Sequence, residues 1–552
     1  MTRNDSGAAP AGAGTTSPGE GGQQRRTIGL VSLLMTGVGT IIGSGWLFGA
    51  AHAAGYAGPA AIFSWIIGAF IIALTALTLC ELGPMMPRTG GMGRFAKLSH
   101  GSLVGFIGDW AGFVGFTSTV PSEASASVQY MSNWDYPWAH ELFSSQTQSL
   151  SHTGLLVASL LCVVYFMLCY WSMQVFLRAV KAVTIFKIFV PLFSAGTLIY
   201  LGFNASNFSA VGNGSIAPYG WSGALTAVTG AGIVYAFNGF QTPISFAGEA
   251  KNPNRTIPIA VLGSLALCLV IYVVLQVAFI GALPPSQLAA GGGWSGLDFR
   301  SPFADLAISL NLSLLAMLLY LDAFVSPSGS GVIYLASASR MLWGMERDGH
   351  MPKSMGRLHK HTLLPRPAMW AVLAASIACL WVFPSWDELA AVISVGYVIG
   401  YLCAPVAFIS LRRLAPSAVR PVRLPFAGVL APVTFVAVSL LLYWSSWPLT
   451  GEVIFIIVAG LGFWIYYEAK TGFHDIGRQL KAGAWFPAYL VTMAAISYVG
   501  SPRFGGLGLL SEMGSFVAVT VVSLGFYVWS YRSAWLTPEA AQLDAGAEPG
   551  TG

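Results

Sequence analysis

Apolar positions along this chain gather into long runs separated by short polar stretches. The runs lie at approximately 28–52, 59–86, 102–131, 153–173, 180–203, 221–247, 257–283, 303–344, 368–384, 388–411, 428–448, 450–468, 484–500 and 515–531. Crossing a bilayer as a helix takes about 20 apolar residues, so the pattern predicts an all-α polytopic membrane protein with about 14 transmembrane helices. Two runs carry small polar interruptions. One is Ile42-Gly43-Ser44-Gly45-Trp46, inside Ile28–Ala51; the other is Phe237-Asn238-Gly239-Phe240-Gln241-Thr242-Pro243, inside Ala224–Ala247. Backbone at membrane depth must satisfy its own N–H and C=O groups, so an unwound stretch survives only where it lines a cavity or binds something. Paired interruptions of this kind point to a transporter substrate site near the midplane. Glycine pairs also serve helix packing; the serine between the glycines and the second break favour the site.

Composition strengthens the membrane reading. Of 552 residues 55% are hydrophobic and only 9% charged, against roughly 25% charged in soluble proteins. Residues 1–26 are rich in Gly, Ala, Thr and Ser with no apolar core, so a disordered cytoplasmic tail is expected there and not a cleaved signal. The six cysteines sit in apolar runs without CxxC pairing, which argues against disulfides or a zinc site.

Charge orients the chain. Basic residues collect in alternate loops: Arg88, Arg94 and Lys97; Arg178 and Lys181; Lys251 and Arg255; Arg347 to Arg366; Arg412 to Arg423. Opposite them stand only Arg300 and Arg503, with acidic Asp135, Glu141, Asp387 and Glu388. The positive-inside bias then puts both termini in the cytoplasm of a multi-pass protein of the plasma (inner) membrane. A net charge of +5 spread over separate loops gives no patch for nucleic acid.

Ionisable residues inside the apolar runs are expensive and are functional candidates by default. Lys187, Glu123 and Asp322 are the three singled out for proton coupling. For Lys187 two readings stand: a buried amine whose titration falls toward the physiological range, or a side chain snorkelling to the cytoplasmic interface. Glu123 is either an interfacial carboxylate or a proton-sharing partner of Lys187. Asp322 precedes Ser326, Ser328 and Ser330, hydroxyls that line a cavity or replace backbone partners around Pro327. Tyr397 and Tyr401 share a helix face, where they gate the cavity or simply pack. Lys187 and Arg340 are the bases near membrane depth. No metal spacing or catalytic constellation is present, so no cofactor and no enzyme activity are expected.

Several stretches taken together resemble amino acid permeases of the amino acid/polyamine/organocation superfamily. They are Gly43-Ser44-Gly45; Glu81-Leu82-Gly83-Pro84-Met85-Met86-Pro87-Arg88-Thr89-Gly90-Gly91; Gly239-Phe240-Gln241; Gly248-Glu249-Ala250-Lys251-Asn252-Pro253; Leu321-Asp322-Ala323; Ser339-Arg340; and Pro384-Ser385-Trp386. The resemblance looks nearest to bacterial aspartate:proton symporters and covers roughly residues 27–535. It implies a leucine-transporter-like fold with a 5+5 inverted repeat and discontinuous helices 1 and 6. Residues 27–203 then form the first repeat, 204–412 the second and 413–535 the accessory helices, with a second disordered tail over 536–552. Substrate contacts are expected from Ile42, Gly43, Ser44, Gly45, Phe237, Asn238, Gly239 and Gln241, with Ser326, Ser328 and Tyr397 lining the cavity. The Arg178-to-Lys187 spacing resembles the segment in which proton-dependent members place a lysine where sodium-coupled members hold sodium. Gln241 departs from the acid that many members carry there. The expected activity is proton-coupled uptake of an amino acid, possibly aspartate or glutamate; an exchanger and a non-transporting sensor are the alternatives.

Overall fold

A computed structural model describes residues 28–86, 92–246, 250–360, 362, 364–473 and 475–545, without the side chains of 172–181 and 245. The tail 1–26, the Pro87-Arg88-Thr89-Gly90-Gly91 end of the second-span motif, Gly248-Glu249 and residues 546–552 lie outside the described residues.

Among the described residues, 11 helices are long and apolar enough to cross a membrane, and Leu30–Ile41 and Arg366–Val382 are shorter apolar helices. The expected count of about 14 differs mainly because helices broken inside one apolar run do not qualify singly, and because the second helix runs on from the first into Met85. The first run divides into α1 (Leu30–Ile41) and α2 (Gly45–Ala57), followed by α3 (Ala61–Met85). Next come α4 (Gly93–His100), α5 (Ser102–Met131) and α6 (His152–Gly202), which contains the apolar stretches His152–Trp171 and Ala182–Gly202. The second broken run gives α7 (Trp221–Gly230), α8 (Ile233–Ala236) and α9 (Thr242–Ser245). It is interrupted twice, because Gly232 adopts a left-handed φ of 74° upstream of the expected break.

Beyond it lie α10 (Pro253–Ala282), α11 (Ser313–Arg347), α12 (Arg366–Val382), α13 (Trp386–Tyr401) and α14 (Cys403–Leu414). The accessory region supplies α15 (Ala427–Trp444), α16 (Leu449–Thr471), α17 (Ile476–Gly483), α18 (Trp485–Val499) and α19 (Glu512–Ser533). The run 303–344, about twice what one crossing needs, separates into Pro302–Ser309 and α11 around Asn311, which sits at φ 59°. The run 388–411 parts at Leu402, three residues ahead of Pro405, whose missing N–H cannot continue the ladder. A small antiparallel ribbon, Phe143–Ser144 with Leu150–Ser149, adds two short strands to the helical whole.

Packing is concentric. Helix α5 runs through the middle, buried along most of its length, and packs most extensively against α11 and α13, while α1 and α2 lie against α10, α7 and α8. The apolar faces of α16 and α19 are the least buried, with Phe455, Met513 and Val521 exposed, as suits helices whose outer solvent is lipid.

Charged residues cluster at one end of the bundle. Glu81, at the exit of α3, accepts two bonds from Arg412 at 2.8 and 2.5 Å and one from the Leu424 amide at 2.8 Å. Lys97 pairs with Asp348 at 2.5 Å and with Glu539 at 3.4 Å. The stretch from 536 onward, expected to be disordered, instead forms the helix Pro538–Asp544 as far as the described chain allows. Thr537 caps it and bonds the Leu98 carbonyl at 2.7 Å, and Ala540 and Leu543 are buried. Two apolar side chains and a side-chain cap outweigh the polar composition that suggested disorder.

Glu81 is buried, so its removal leaves the Leu424 amide without its partner and Arg412 with only its bond to the Leu424 carbonyl. Glu81→Ala is expected to lose about 2 kcal/mol of stability, read as a lower midpoint of thermal unfolding in detergent, with Arg412→Ala showing a similar loss.

Candidate functional site

Helix α1 stops at Ile42, whose backbone turns extended, and α2 starts again after Ser44. Ending a helix here leaves carbonyls free on one side and amides on the other, with partial negative and positive charge respectively. Each side meets a side chain of opposite sign. Lys187 Nζ, on the second apolar stretch of α6, donates to the carbonyls of Ile42 (2.8 Å) and Gly39 (3.3 Å) and to Ser330 Oγ of α11 (2.8 Å). It is buried inside the protein, so the snorkelling geometry is not the one adopted. Glu123, on α5, accepts from the Ser44 amide through Oε2 at 2.8 Å and from Tyr235 Oη through Oε1 at 2.9 Å. It too is buried at the break and does not reach an interface.

Ser44 Oγ completes the arrangement, 2.8 Å from Tyr235 Oη and accepting from Trp386 Nε1 at 3.0 Å. Trp386 stacks on Phe48 with centroids 4.7 Å apart. Close approach explains the glycines. A Cβ on Gly43 would lie 2.3 Å from Glu123 Oε1, and one on Gly45 would lie 2.8 Å from Ala236 Cβ and 2.9 Å from its Cα. Gly239, at φ 101°, presses on Thr40, to which a Cβ would come within 2.9 Å of the carbonyl carbon. The two breaks therefore touch each other directly.

The second break is held by Tyr272 of α10. Its hydroxyl is 3.0 Å from the Ala236 carbonyl and 3.3 Å from that of Ile41, so one side chain serves both broken runs. Phe237 packs against Trp65 and Tyr272, at 5.8 and 5.3 Å between centroids. Asn238 donates to Tyr334 Oη at 3.0 Å, and Gln241 Nε2 donates to Asn238 Oδ1 at 3.2 Å. Tyr397 Oη lies 3.5 Å from Thr119 Oγ1 and the ring stacks on Tyr401.

The other candidates sit further out. Asp322 is buried, its Oδ1 taking the Ser326 hydroxyl at 2.7 Å, while Oδ2 has no hydrogen-bond partner. Ser328 donates to Tyr165 Oη of α6 at 3.3 Å. Arg340 is exposed. Ser330, rather than Ser326 or Ser328, is the hydroxyl of that stretch joined to the first break. Tyr235, Tyr272 and Tyr334 were not singled out from sequence, and Trp386 was marked only by the resemblance; the signal in the residues themselves is a polar tip at membrane depth within an apolar run, which packing aromatics share.

A many-helix membrane protein with two apposed helix breaks, lined by a buried lysine and glutamate, has the makings of a carrier for a small zwitterion. Residues 28–466 match the family described as amino acid permease, and the chain belongs to that family. It is 49% identical over 516 residues to the glutamate/serine transporter AimA of Bacillus subtilis (strain 168), covering 93% of this chain and 95% of the relative. Similarity to the aspartate-proton symporter of the same organism is lower, 35% identity over 92% of this chain and 96% of the relative. The branched-chain amino acid permease BcaP, again of Bacillus subtilis (strain 168), is 24% identical over 81% of this chain and 94% of its own. The expected nearness to aspartate:proton symporters is thus corrected: the glutamate/serine transporter is more similar. This chain is a membrane permease of the amino acid transport class and not an enzyme.

Removing the hydroxyl that serves both breaks tests how much they depend on it. Tyr272→Phe is expected to cost about 1–3 kcal/mol, the penalty for unsatisfied buried carbonyls, measured as reduced thermal stability of the purified protein.

Proposed function

We propose that this chain is a proton-coupled amino acid symporter that works by alternating access, and that the two breaks form its substrate site. The observation that carries this reading is the pairing of Lys187 with the free carbonyls of α1 and of Glu123 with the Ser44 amide of α2. A substrate carboxylate suits the amide end and a substrate ammonium suits the carbonyls of the second break. Because Glu123 already takes the Ser44 amide, carboxylate binding there competes with it. As an ammonium, Lys187 has donors for all three of its oxygen partners and ties α6 to α1 and α11. As a neutral amine it has one donor fewer, and the tie loosens. Protonation and substrate then favour the same closed arrangement, and that coupling is reciprocal. Asp322, buried with one carboxyl oxygen left without a hydrogen-bond partner, is a second proton-sharing group.

The fold belonging to this proposal groups the helices into fourteen spans with a 5+5 inverted repeat, 27–203 and 204–412, plus accessory helices over 413–535. Both termini lie in the cytoplasm and the protein sits in the plasma membrane. Acidic amino acids are among the proposed substrates, in keeping with what the two more similar relatives are named for.

Reconstitution in proteoliposomes with and without an inwardly directed pH gradient tests the proposal. Wild type is expected to accumulate substrate when the outside is acid. Lys187→Ala is expected to keep binding but lose the acid-driven accumulation by at least about tenfold; a variant that still concentrates substrate with the same pH dependence moves coupling to Glu123 or Asp322. Accumulation that requires internal amino acid and ignores the gradient identifies an exchanger, and binding with no flux a sensor. Gly45→Leu, which drives a side chain into Ala236, is expected to abolish binding in a protein that is still folded and inserted.

A further inference from the structure

The chain after α19 is polar in sequence and yet crosses the charged end of the bundle along a fixed course. The Trp535 amide donates to the Ser99 carbonyl at 3.0 Å and the Thr537 hydroxyl to that of Leu98 at 2.7 Å, both on α4. Glu539, in the first turn of the helix Pro538–Asp544, lies 3.4 Å from Lys97, whose ammonium also holds Asp348 just past the end of α11. At the far end of that helix Asp544 Oδ1 accepts from the Ser417 amide at 2.7 Å, in the segment between α14 and α15. Ala540 has no exposed surface and Leu543 is buried, so apolar contact seats the helix as well as its polar ends. Arg413, at the end of α14, donates to the Ala534 carbonyl at 3.1 Å and lies over the Tyr531 ring at 4.3 Å.

The segment that Asp544 holds is the one that closes on Glu81. Beyond the three bonds from Arg412 and Leu424, Arg420 Nε stands 3.6 Å from the same carboxylate. Arg420 also donates to the carbonyls of Leu411, Ala415 and Ala418 at 2.9, 2.8 and 2.9 Å, which draws 411–420 into a compact loop. Ser417 belongs to that loop, so the bond from Asp544 fixes the loop from outside. Glu81 stands near the end of α3, which follows the first broken run and packs on α10, whereas α14 follows α13, the partner of α5. The loop therefore joins the broken-run side of the bundle to the α5 side across a buried carboxylate. Such a contact opens only when its donors leave together, because each one left behind is costly. Among the described residues, none of the bonds of 534–544 goes to either break.

We infer that the helix Pro538–Asp544 is a brake on opening at the charged end: it holds the loop 411–420 against Glu81 and has to let go before α3 and α14 part. Thr537, Leu543 and Asp544 are positioning residues that act through Glu81. The inference rests on the alternating-access reading, in which this end opens to the cytoplasm once in each cycle. A short helix held by one cap, two apolar side chains and a carboxylate at its far end is light enough to detach and return within a cycle.

Full-length variants in proteoliposomes test it, with glutamate and serine as the probes. Asp544→Ala, which frees Ser417, and Leu543→Glu, which charges a buried position, are each expected to raise the maximal rate of uptake several-fold with little change in KM. The double variant Ser417→Cys with Asp544→Cys, joined as a disulfide by a mild oxidant, is expected to slow uptake by at least about tenfold while substrate still binds, and reductant is expected to restore the rate. Each single cysteine variant, treated alike, controls for the six native cysteines. Glu81→Gln is expected to raise the rate as well, and Asp544→Ala added to it to change nothing further, since both act on one contact. Release variants no faster than wild type, a cross-linked pair as fast as its reduced form, or independent effects of Asp544→Ala and Glu81→Gln overturn the inference. Wild type that binds substrate without flux overturns instead the transport reading beneath it, so the two failures are separable.

Discussion

Free backbone groups in the interior of a hydrophobic bundle are the constraint from which the rest of this molecule follows. Two helices stop and restart where neither lipid nor bulk water can complete their hydrogen bonds. Each open end must therefore be met by a side chain from another element, and the bundle is arranged so that it is. Lys187 reaches in from α6 to the carbonyls of α1, Glu123 from α5 to the amide before α2, and Tyr272 from α10 to carbonyls of both runs. Those three helices are held in place by these contacts as much as by packing.

The same arrangement couples charge to shape. A lysine bonded to backbone oxygens and a carboxylate bonded to a backbone amide lie on opposite sides of one short break, so a change of protonation at either alters how firmly α1 and α2 are tied to α5, α6 and α11. In the proposed function a zwitterion entering the break interacts with the same backbone ends, and substrate and proton then act on common hydrogen bonds, the kind of shared element that linkage between two ligands requires. Trp386, stacked on Phe48 and bonded to Ser44, extends that element to α13.

At the charged end of the bundle a different set of contacts closes the structure. Glu81 with Arg412, Lys97 with Asp348, and the helix Pro538–Asp544 against Leu98 join α3, α4, α11, α14 and the C-terminal stretch. Glu81 and the Thr537 bond are buried, whereas Lys97, Asp348 and Glu539 stay partly exposed, where an ion pair is worth less.

Much of this was legible along the chain. A hydrophobic run of about 20 residues satisfies its backbone as a helix, and paired Gly-containing polar interruptions five runs apart point to breaks, so the spans and the two expected breaks are visible in the local pattern. Two features have local causes as well: Asn311 divides a run whose hydropathy is continuous, and Gly232 adds a break that the sequence marks only by Thr229-Gly230-Ala231-Gly232. Which groups meet was not legible, because hydropathy carries no information about partners. Ser44 bonds Glu123 79 residues away and Trp386 342 residues away, and Tyr235 and Tyr272 look in sequence like any packing aromatic. A lysine and a glutamate inside apolar runs are marked by their cost in the membrane; only the tertiary structure decides that one faces carbonyls and the other an amide, since that depends on how helices remote in sequence are rotated and stacked.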